Sequence, residues 1–172
     1  MWQINKSFSF AYAHRVHNQH LDADLVEDTK CKCRHLHGHT GKVVIHLTGT
    51  SLVNGMVTDF KHLGFLKKFI DDVIDHKFII DANDPNFSKI TNASKYSTIS
   101  FEHYGIFDTS EETVEHEKEH ADSFVIVDFV PTSENLAKWI WEYAESILEQ
   151  KGITVSKVEW WETDKACATY IA

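Results

Sequence analysis

The chain has 172 residues, enough for one domain with a hydrophobic core and few for two. Its formal net charge is −9 with no basic stripe, so a nucleic-acid-binding protein is not expected. No apolar run reaches the ~18 residues of a membrane span, and MWQINKSFSF lacks a signal-peptide pattern, so we expect a cytoplasmic protein. An odd number of cysteines, three, argues against a disulfide framework and favours metal binding or thiol chemistry.

Two strands are predicted in the first 50 residues, because apolar and polar side chains alternate in SFSFAYAH (7–14) and in HTGKVVIHLTGT (39–50). The polar, acidic residues 17–30 are predicted to form a loop. If the two-residue period of the second strand extends backwards, one face carries four possible ligands. These are Cys33, His35, His37 and His39.

Two helices are predicted further along the chain. Residues 59–74 place apolar side chains at helical spacing, with Asp59 as the N-cap. The second helix lies within 131–152, where Thr132 or Ser133 can cap it and Gly152 can end it.

The remaining elements complete the predicted architecture. SFVIVDF (123–129) and VSKVEWWET (155–163) are predicted strands, the latter with Val158, Trp160 and Glu162 on one side. The acidic stretch at about 83–122 is predicted to be a solvated insertion, partly helical or mobile, in a single domain spanning 1–172. This order predicts an α+β domain with an antiparallel sheet.

The sequence His37-Gly38-His39 is the strongest metal-binding signal from spacing. Two imidazoles two residues apart on a strand point the same way, and His14 at the end of the first strand is a plausible third ligand. Three imidazoles with an open fourth position suit a catalytic zinc, although surface histidines would give the same pattern. Cys33 could be a fourth ligand, a thiolate base or nucleophile beside the cation, or a small buried residue.

Three other patterns carry weaker signals. Asp75-His76 could be an oriented acid–base pair or two surface residues. Glu162 could bind a guanidine-like edge of a ligand or form a structural ion pair. The H-E-x-x-H sequence at 116–120 fits a zinc protease, but its neighbours are too polar for the buried helix which that motif requires.

Taken together, the motifs FSFAYAHR, CRHLHGH, GMVTDFKHL, IDHKF, PTSENLAKWIW and VEWWET resemble the 6-pyruvoyltetrahydropterin synthase family. Within it, they are most similar to the bacterial 6-carboxytetrahydropterin synthases of the queuosine pathway. The resemblance implies the tunnelling fold, an antiparallel four-stranded sheet with two helices on one face, whose subunits form an oligomeric barrel. It also implies active sites between the subunits of a homo-oligomer, with no nucleic-acid or membrane partner.

The resemblance implies a role for each matched residue. The Zn²⁺ ligands would be His14, His37 and His39, and Cys33 would be the catalytic thiol. Asp75 and His76 would relay a proton, Glu162 would anchor the pterin, and Thr132 and Ser133 would lie near it. Cys31 occupies the thiol position of animal-type pyruvoyl enzymes, so both cysteine positions are filled.

The substrate that the resemblance implies is 7,8-dihydroneopterin triphosphate. The carboxy-type enzymes release acetaldehyde and triphosphate from it, whereas the pyruvoyl type releases triphosphate alone. A non-catalytic zinc- or pterin-binding protein remains the alternative of a different class. The candidates for holding the triphosphate are the basic residues Arg15, Lys30, Lys32 and Lys42, or a neighbouring subunit.

Overall fold

A computed structural model describes all residues, Met1–Ala172. One mixed sheet of eight strands has the order β4-β5-β6-β3-β1-β2-β7-β8. The strands are β1 (Trp2–His14), β2 (His37–Gly49), β3 (Lys77–Asp81), β4 (Thr98–Ser100), β5 (Gly105–Phe107), β6 (Phe124–Val127), β7 (Thr154–Thr163) and β8 (Ala166–Ile171). The α-helices are α1 (Gly64–Phe69), α2 (Phe87–Thr91), α3 (Glu115–Asp122) and α4 (Ser133–Leu148).

The prediction of a four-stranded antiparallel sheet was wrong in strand number and in direction. β3 runs parallel to both β1 and β6, while β7 pairs antiparallel with β2 and β8. Parallel neighbours need a long crossover between them, and helical segments precede both β3 and β6 in the chain. β8 was missed because this short strand is largely exposed and carries no continuous apolar pattern.

The chain divides into two compact units, and β1 and β2 each contribute residues to both. The first unit comprises Met1–Ala11, His39–Asp75 and Ser133–Ala172. Its core confirms the predicted alternation, because the buried strand residues lie two apart. They include Phe8 and Phe10 of β1, Val43, Ile45 and Leu47 of β2, and Val158 and Trp160 of β7.

The helical segment 60–74 has three successive geometries rather than the single helix predicted. A 3₁₀ turn, Phe60–Leu63, leads into α1, and a π-helical turn, Ile70–Ile74, follows. The predicted cap is confirmed, because the Asp59 side chain accepts a hydrogen bond from the Lys61 amide at 2.7 Å. The π turn ends where the Asp75 amide donates to the Ile70 carbonyl, five residues back, at 2.8 Å.

Helix α4 packs its apolar stripe inside the first unit, as the spacing predicted. Leu136, Ile140 and Leu148 are buried, and the Tyr143 ring stacks on Phe69 with centroids 3.9 Å apart. Gly152 ends the helical segment in the left-handed conformation (φ 69°) that glycine adopts at low cost. None of the helices has the length and apolarity needed to cross a membrane.

The second unit comprises Tyr12–Gly38 and His76–Thr132. Its parallel strands β3 and β6 contribute Ile80, Phe124 and Ile126 to a core cluster that also contains Phe107 and Ala121. Phe107 and Ala121 come from the stretch predicted as a solvated insertion. That stretch contains α2, β4, β5 and α3, so it is integral to this unit rather than only solvated.

An ion-pair network explains how so acidic a stretch folds. Lys95 pairs with Glu112 and Glu117, and the Tyr96 hydroxyl donates to Glu112 at 3.1 Å. The Lys95 side chain and the Val114 amide lower the pKa of Glu112 from 4.5 to about 2. Glu112 is therefore ionised in the folded protein well below the pH at which it protonates in the unfolded chain.

We expect Glu112→Gln to lower the melting temperature at neutral pH, because the amide cannot replace a carboxylate beside Lys95. A carboxyl group with a depressed folded-state pKa stabilises the protein above its unfolded pKa. The difference from wild type should therefore be full above pH 4.5 and shrink as the pH falls toward 2. Thermal unfolding from pH 7 to pH 3 measures this, with the exposed neighbour Glu111→Gln as control. A difference that does not change with pH would contradict the assignment.

Candidate metal and active site

His14 is the last residue of β1 and is completely buried. Its alternation with Phe8, Phe10 and Tyr12 puts the imidazole on the core face of the strand. The ring nitrogen Nδ1 lies 2.7 Å from the carbonyl oxygen of Pro131. A carbonyl only accepts, so Nδ1 carries the proton and Nε2 carries the lone pair that can bind a metal.

His37 and His39 begin β2, and both side chains are half-buried on one face of the strand. His37 Nδ1 lies 2.8 Å from the carbonyl of His35, which fixes the same tautomer as in His14. The rings of His14 and His37 are in contact, with centroids 4.6 Å apart.

These three histidines form a group that could hold one metal ion. One potential ligand nitrogen from each lies within 4.8 Å of the others. In metal sites, a ligating imidazole almost always donates its other N–H to a carbonyl or carboxylate, as His14 and His37 do here. The donor set of three imidazoles fits a zinc ion with a position open to substrate.

Gly38 allows β1 and β2 to approach closely between His37 and His39, two of the candidate metal ligands. A Cβ atom at Gly38 would lie 2.8 Å from the carbonyl oxygen of Tyr12, closer than such atoms approach in proteins. The glycine in His-x-His is thus required by the backbone of the neighbouring strand, which the sequence pattern alone did not show.

Cys33 lies in a 3₁₀ turn, Lys32–Arg34, and not on the extended face that ends in His37 and His39. The predicted two-residue period therefore stops at His37, because the turn breaks the alternation. The Cys33 carbonyl accepts a hydrogen bond from the Val16 amide at 2.8 Å, which ties this turn to the segment after His14. Cys31 donates its thiol to the Gln19 side chain at 3.1 Å.

Asp75 and His76 lie where the π turn meets β3. Asp75 Oδ1 accepts from the Ala11 amide of β1 at 2.8 Å, so this carboxylate holds the strand that carries His14. His76 is exposed and has φ 61°, a left-handed conformation that is costly for a residue other than glycine. Such strain clusters at functional positions.

Glu162 lies near the end of β7, at an irregularity in the pairing with β8, and is partly buried. Its Oε1 atom is 3.8 Å from Nε2 of His39. The structure therefore brings the predicted ligand-binding carboxylate next to a predicted metal ligand.

Thr132 and Ser133 directly follow Pro131, whose carbonyl contacts His14. Both are half-buried, and Ser133 is the first residue of α4. The PTS segment is therefore adjacent to the histidine group.

Two of the predicted triphosphate-binding residues have other partners. Arg15 Nε lies 3.0 Å from Asp84 Oδ2 in a buried ion pair, and Lys42 stands over the Trp161 ring at 4.5 Å. Lys30 and Lys32 are exposed. Sequence reasoning missed Asp84, because the stretch at about 83–122 that contains it was interpreted as a solvated insertion.

The zinc-protease alternative is excluded by the environment of its helix. In α3 only Ala121 is buried, and both His116 and His120 are exposed. The only group of histidine, cysteine or acidic side chains in the described chain that could hold a metal is His14, His37 and His39.

The sequence matches the family model for 6-pyruvoyl tetrahydropterin synthase over residues 3–172, and the chain belongs to this family. A protein of Aquifex aeolicus named 6-carboxy-5,6,7,8-tetrahydropterin synthase is 32% identical over 180 aligned positions, covering 98% of this chain and 97% of its own. An uncharacterized protein of Wolinella succinogenes has a similar structure, with a TM-score of 0.94, 44% identity and coverage of 99% and 97% of the two chains. The 6-pyruvoyl tetrahydropterin synthase of Caenorhabditis elegans shares the fold, with a TM-score of 0.59, 24% identity and coverage of 99% and 95%.

We expect Gly38→Ala to weaken metal binding, because its Cβ would push β1 away from β2 between the ligand histidines. Overpacking of this kind costs about 1–3 kcal/mol of stability. Gly64→Ala is the matched control, since nothing lies within 4 Å of a Cβ at that exposed helical position. Zinc titration against a chromophoric chelator, with thermal unfolding in parallel, measures both effects. Equal zinc affinity in the two variants would contradict the role given to Gly38.

Proposed function

We propose that this protein is a cytoplasmic, zinc-dependent lyase that converts 7,8-dihydroneopterin triphosphate to 6-carboxy-5,6,7,8-tetrahydropterin, in 7-deazapurine (queuosine) biosynthesis. The reaction consumes water and releases triphosphate and acetaldehyde, so one side-chain carbon stays on the pterin as the carboxylate. The names and full-length similarity of relatives such as the Aquifex protein support this specificity.

One observation carries the proposal: His14 and His37 both direct Nδ1 at backbone carbonyls, in a group of three converging imidazoles. Surface histidines have no need of such fixed tautomers, whereas metal ligands do. When bound there, Zn²⁺ would supply Lewis acidity to the hydroxyl groups of the substrate side chain.

Cys33 acts in this proposal as the thiolate base that removes a side-chain proton. The 3₁₀ turn and the Val16–Cys33 hydrogen bond hold it beside the segment that carries His14. His76 relays a proton, and Asp75 fixes the adjoining backbone through its bond to Ala11. A proton relay must reach solvent, and the exposed position of His76 provides this.

Glu162 binds the amino-pyrimidinone edge of the pterin, which offers two N–H donors to a carboxylate. Its position next to His39 supports this role, because the pterin ring adjoins the side chain that reacts. Thr132 and Ser133 contact the pterin from the segment that follows Pro131. Lys30 and Lys32, which are exposed, are the better candidates within this chain for neutralising the triphosphate, since Arg15 already has a buried partner.

The protein acts as a homo-oligomer with active sites at subunit interfaces. Exposed apolar side chains that surround one cavity of about 290 Å³ in the first unit support this part of the proposal. They are Trp2, Leu52, Met56 and Phe60.

A pyruvoyl-type synthase is the second candidate, and it would use Cys31 as the thiol. The thiol of Cys31 donates to Gln19, outside the histidine group, whereas the turn that holds Cys33 is bonded to the segment after His14; this favours Cys33 as the base and hence the carboxy-type reaction.

Product analysis tests the activity directly. Zinc-loaded protein incubated anaerobically with 7,8-dihydroneopterin triphosphate should give carboxytetrahydropterin, acetaldehyde and triphosphate by mass spectrometry. Pyruvoyltetrahydropterin without acetaldehyde would assign the protein to the second candidate. Unchanged substrate in the presence of bound zinc would contradict both and indicate a binding protein.

Substitution of each cysteine separates the two thiol assignments. We expect Cys33→Ala to lower kcat by about 10²–10⁴, the usual contribution of a general base, with zinc affinity unchanged. Cys31→Ala loses only its bond to Gln19 and should retain most of the turnover. Loss of zinc in Cys33→Ala would instead make Cys33 a ligand, and the reverse order of activities would make Cys31 the base.

A further inference from the structure

Residues 14–17, which are the last residue of β1 and the three that follow it, are each held by a different partner in the second unit. His14 Nδ1 contacts the Pro131 carbonyl at 2.7 Å, and the Val16 amide donates to the Cys33 carbonyl at 2.8 Å. Arg15 forms an ion pair with the buried Asp84, and His17 forms a hydrogen bond with the buried Asp81. One short segment therefore connects a candidate metal ligand to the candidate thiol.

Asp81 is the last residue of β3 and Asp84 lies in the turn that follows, next to the end of β1. His14 and Ile79 are the last residues paired between the parallel strands β1 and β3. Beyond that point, side chains replace the backbone ladder: His17 Nε2 donates to Asp81 Oδ2 at 2.9 Å, and Arg15 Nε lies 3.0 Å from Asp84 Oδ2. Asp81 and Asp84 are each only 4% exposed.

Each aspartate uses its two oxygens for two different tasks. Oδ1 of Asp81 accepts from the Asn83 amide at 2.8 Å, and Oδ1 of Asp84 accepts from the Asn86 amide at 2.8 Å. These bonds stabilise the turn itself. Oδ2 of each aspartate faces outward from the turn to Arg15 or His17. The turn is therefore held by its own hydrogen bonds, and its two outward-facing carboxylate oxygens bind the segment 14–17.

We propose that Asp84 and Asp81 are positioning residues, which act through Arg15 and His17 to fix the His14 imidazole and Cys33 relative to each other. This inference rests on the proposed function in taking His14 as a metal ligand and Cys33 as the reactive thiol. A buried ion pair such as Arg15–Asp84 contributes little net stability because both charges lose their hydration, so a role in placement accounts for it better than a role in stability.

The chemistry of the partners ranks the two aspartates. In Asp84→Asn, the amide oxygen can still accept from the Asn86 amide, which leaves the NH₂ group in the place of Oδ2, opposite Arg15. A guanidinium has only donors, so this pair of groups cannot form a hydrogen bond. In Asp81→Asn, the same change faces His17, whose neutral imidazole can switch tautomer and accept. Asp84 should therefore be the more important of the two.

The test measures zinc affinity by competition with a chromophoric chelator, together with the alkylation rate of Cys33 by iodoacetamide in a Cys31→Ser, Cys167→Ser background. We expect Asp84→Asn to bind zinc about 10–100-fold more weakly, the range for partners that orient metal ligands, and to alkylate faster. The zinc affinity and the alkylation rate of Asp81→Asn should lie between those of Asp84→Asn and those of the wild type. Glu112→Gln is the matched control, because it breaks an ion pair of the same unit that does not touch residues 14–17.

A second variant separates placement from the cost of an unpaired buried charge. Arg15→Met combined with Asp84→Asn leaves no uncompensated charge, so its melting temperature should recover relative to Asp84→Asn alone. Its zinc affinity should stay low, because nothing then holds residue 15.

The outcomes are distinct. Wild-type zinc affinity in Asp84→Asn, equal losses in Asp84→Asn and Glu112→Gln, or recovery of affinity in the double variant would each overturn the proposal. A wild-type protein that binds no divalent metal would overturn it as well. Zinc binding without turnover of dihydroneopterin triphosphate would contradict the proposed activity alone and leave the positioning result standing.

Discussion

The hydrogen bond between His14 Nδ1 and the Pro131 carbonyl is the contact on which the candidate site depends. It connects the end of β1 to the residue just before Thr132 and the start of α4, and it holds the imidazole in one tautomer inside the protein. An imidazole that is completely buried needs a partner for its N–H, and a carbonyl supplies it without adding charge. Nε2 then carries the lone pair. The same bond therefore gives the buried N–H its hydrogen-bond partner and leaves the other ring nitrogen able to bind a metal.

The alternation of side chains along β2 brings the other two candidate ligands, His37 and His39, to this point. The same two-residue period that buries Val43, Ile45 and Leu47 in the core puts His37 and His39 on that face nearer the start of β2. This is why the sequence was sufficient to predict that His37 and His39 share one face of a strand. The period is a local property, and the residues that obey it lie within a few positions of one another.

Features that depend on distant parts of the chain could not be predicted in this way. β3 was missed because KFIID is short, and only Asp75 and His76 separate it from the π turn that ends the helical segment. The acidic stretch was interpreted as solvated because of its charge. In the structure, Lys95 pairs with Glu112 and Glu117, and Phe107 packs in the core of the second unit. Asp81 and Asp84 are more than 60 residues from Arg15 and His17, so no pattern within one window relates them.

The two kinds of ion pair in the second unit show how location determines what a charge contributes. The Lys95 pairs lie where Lys95 is 40% exposed, so water still solvates part of the cation and the pairs can help an acidic segment fold. Asp81 and Asp84 have lost nearly all of their water, and the attraction to His17 and Arg15 must first offset that loss. The main effect of such a contact is to fix the position of the partner side chain, because a carboxylate without water strongly favours one position of the group that donates to it. A metal site needs this restriction most in the residues next to its ligands, and Arg15 directly follows His14.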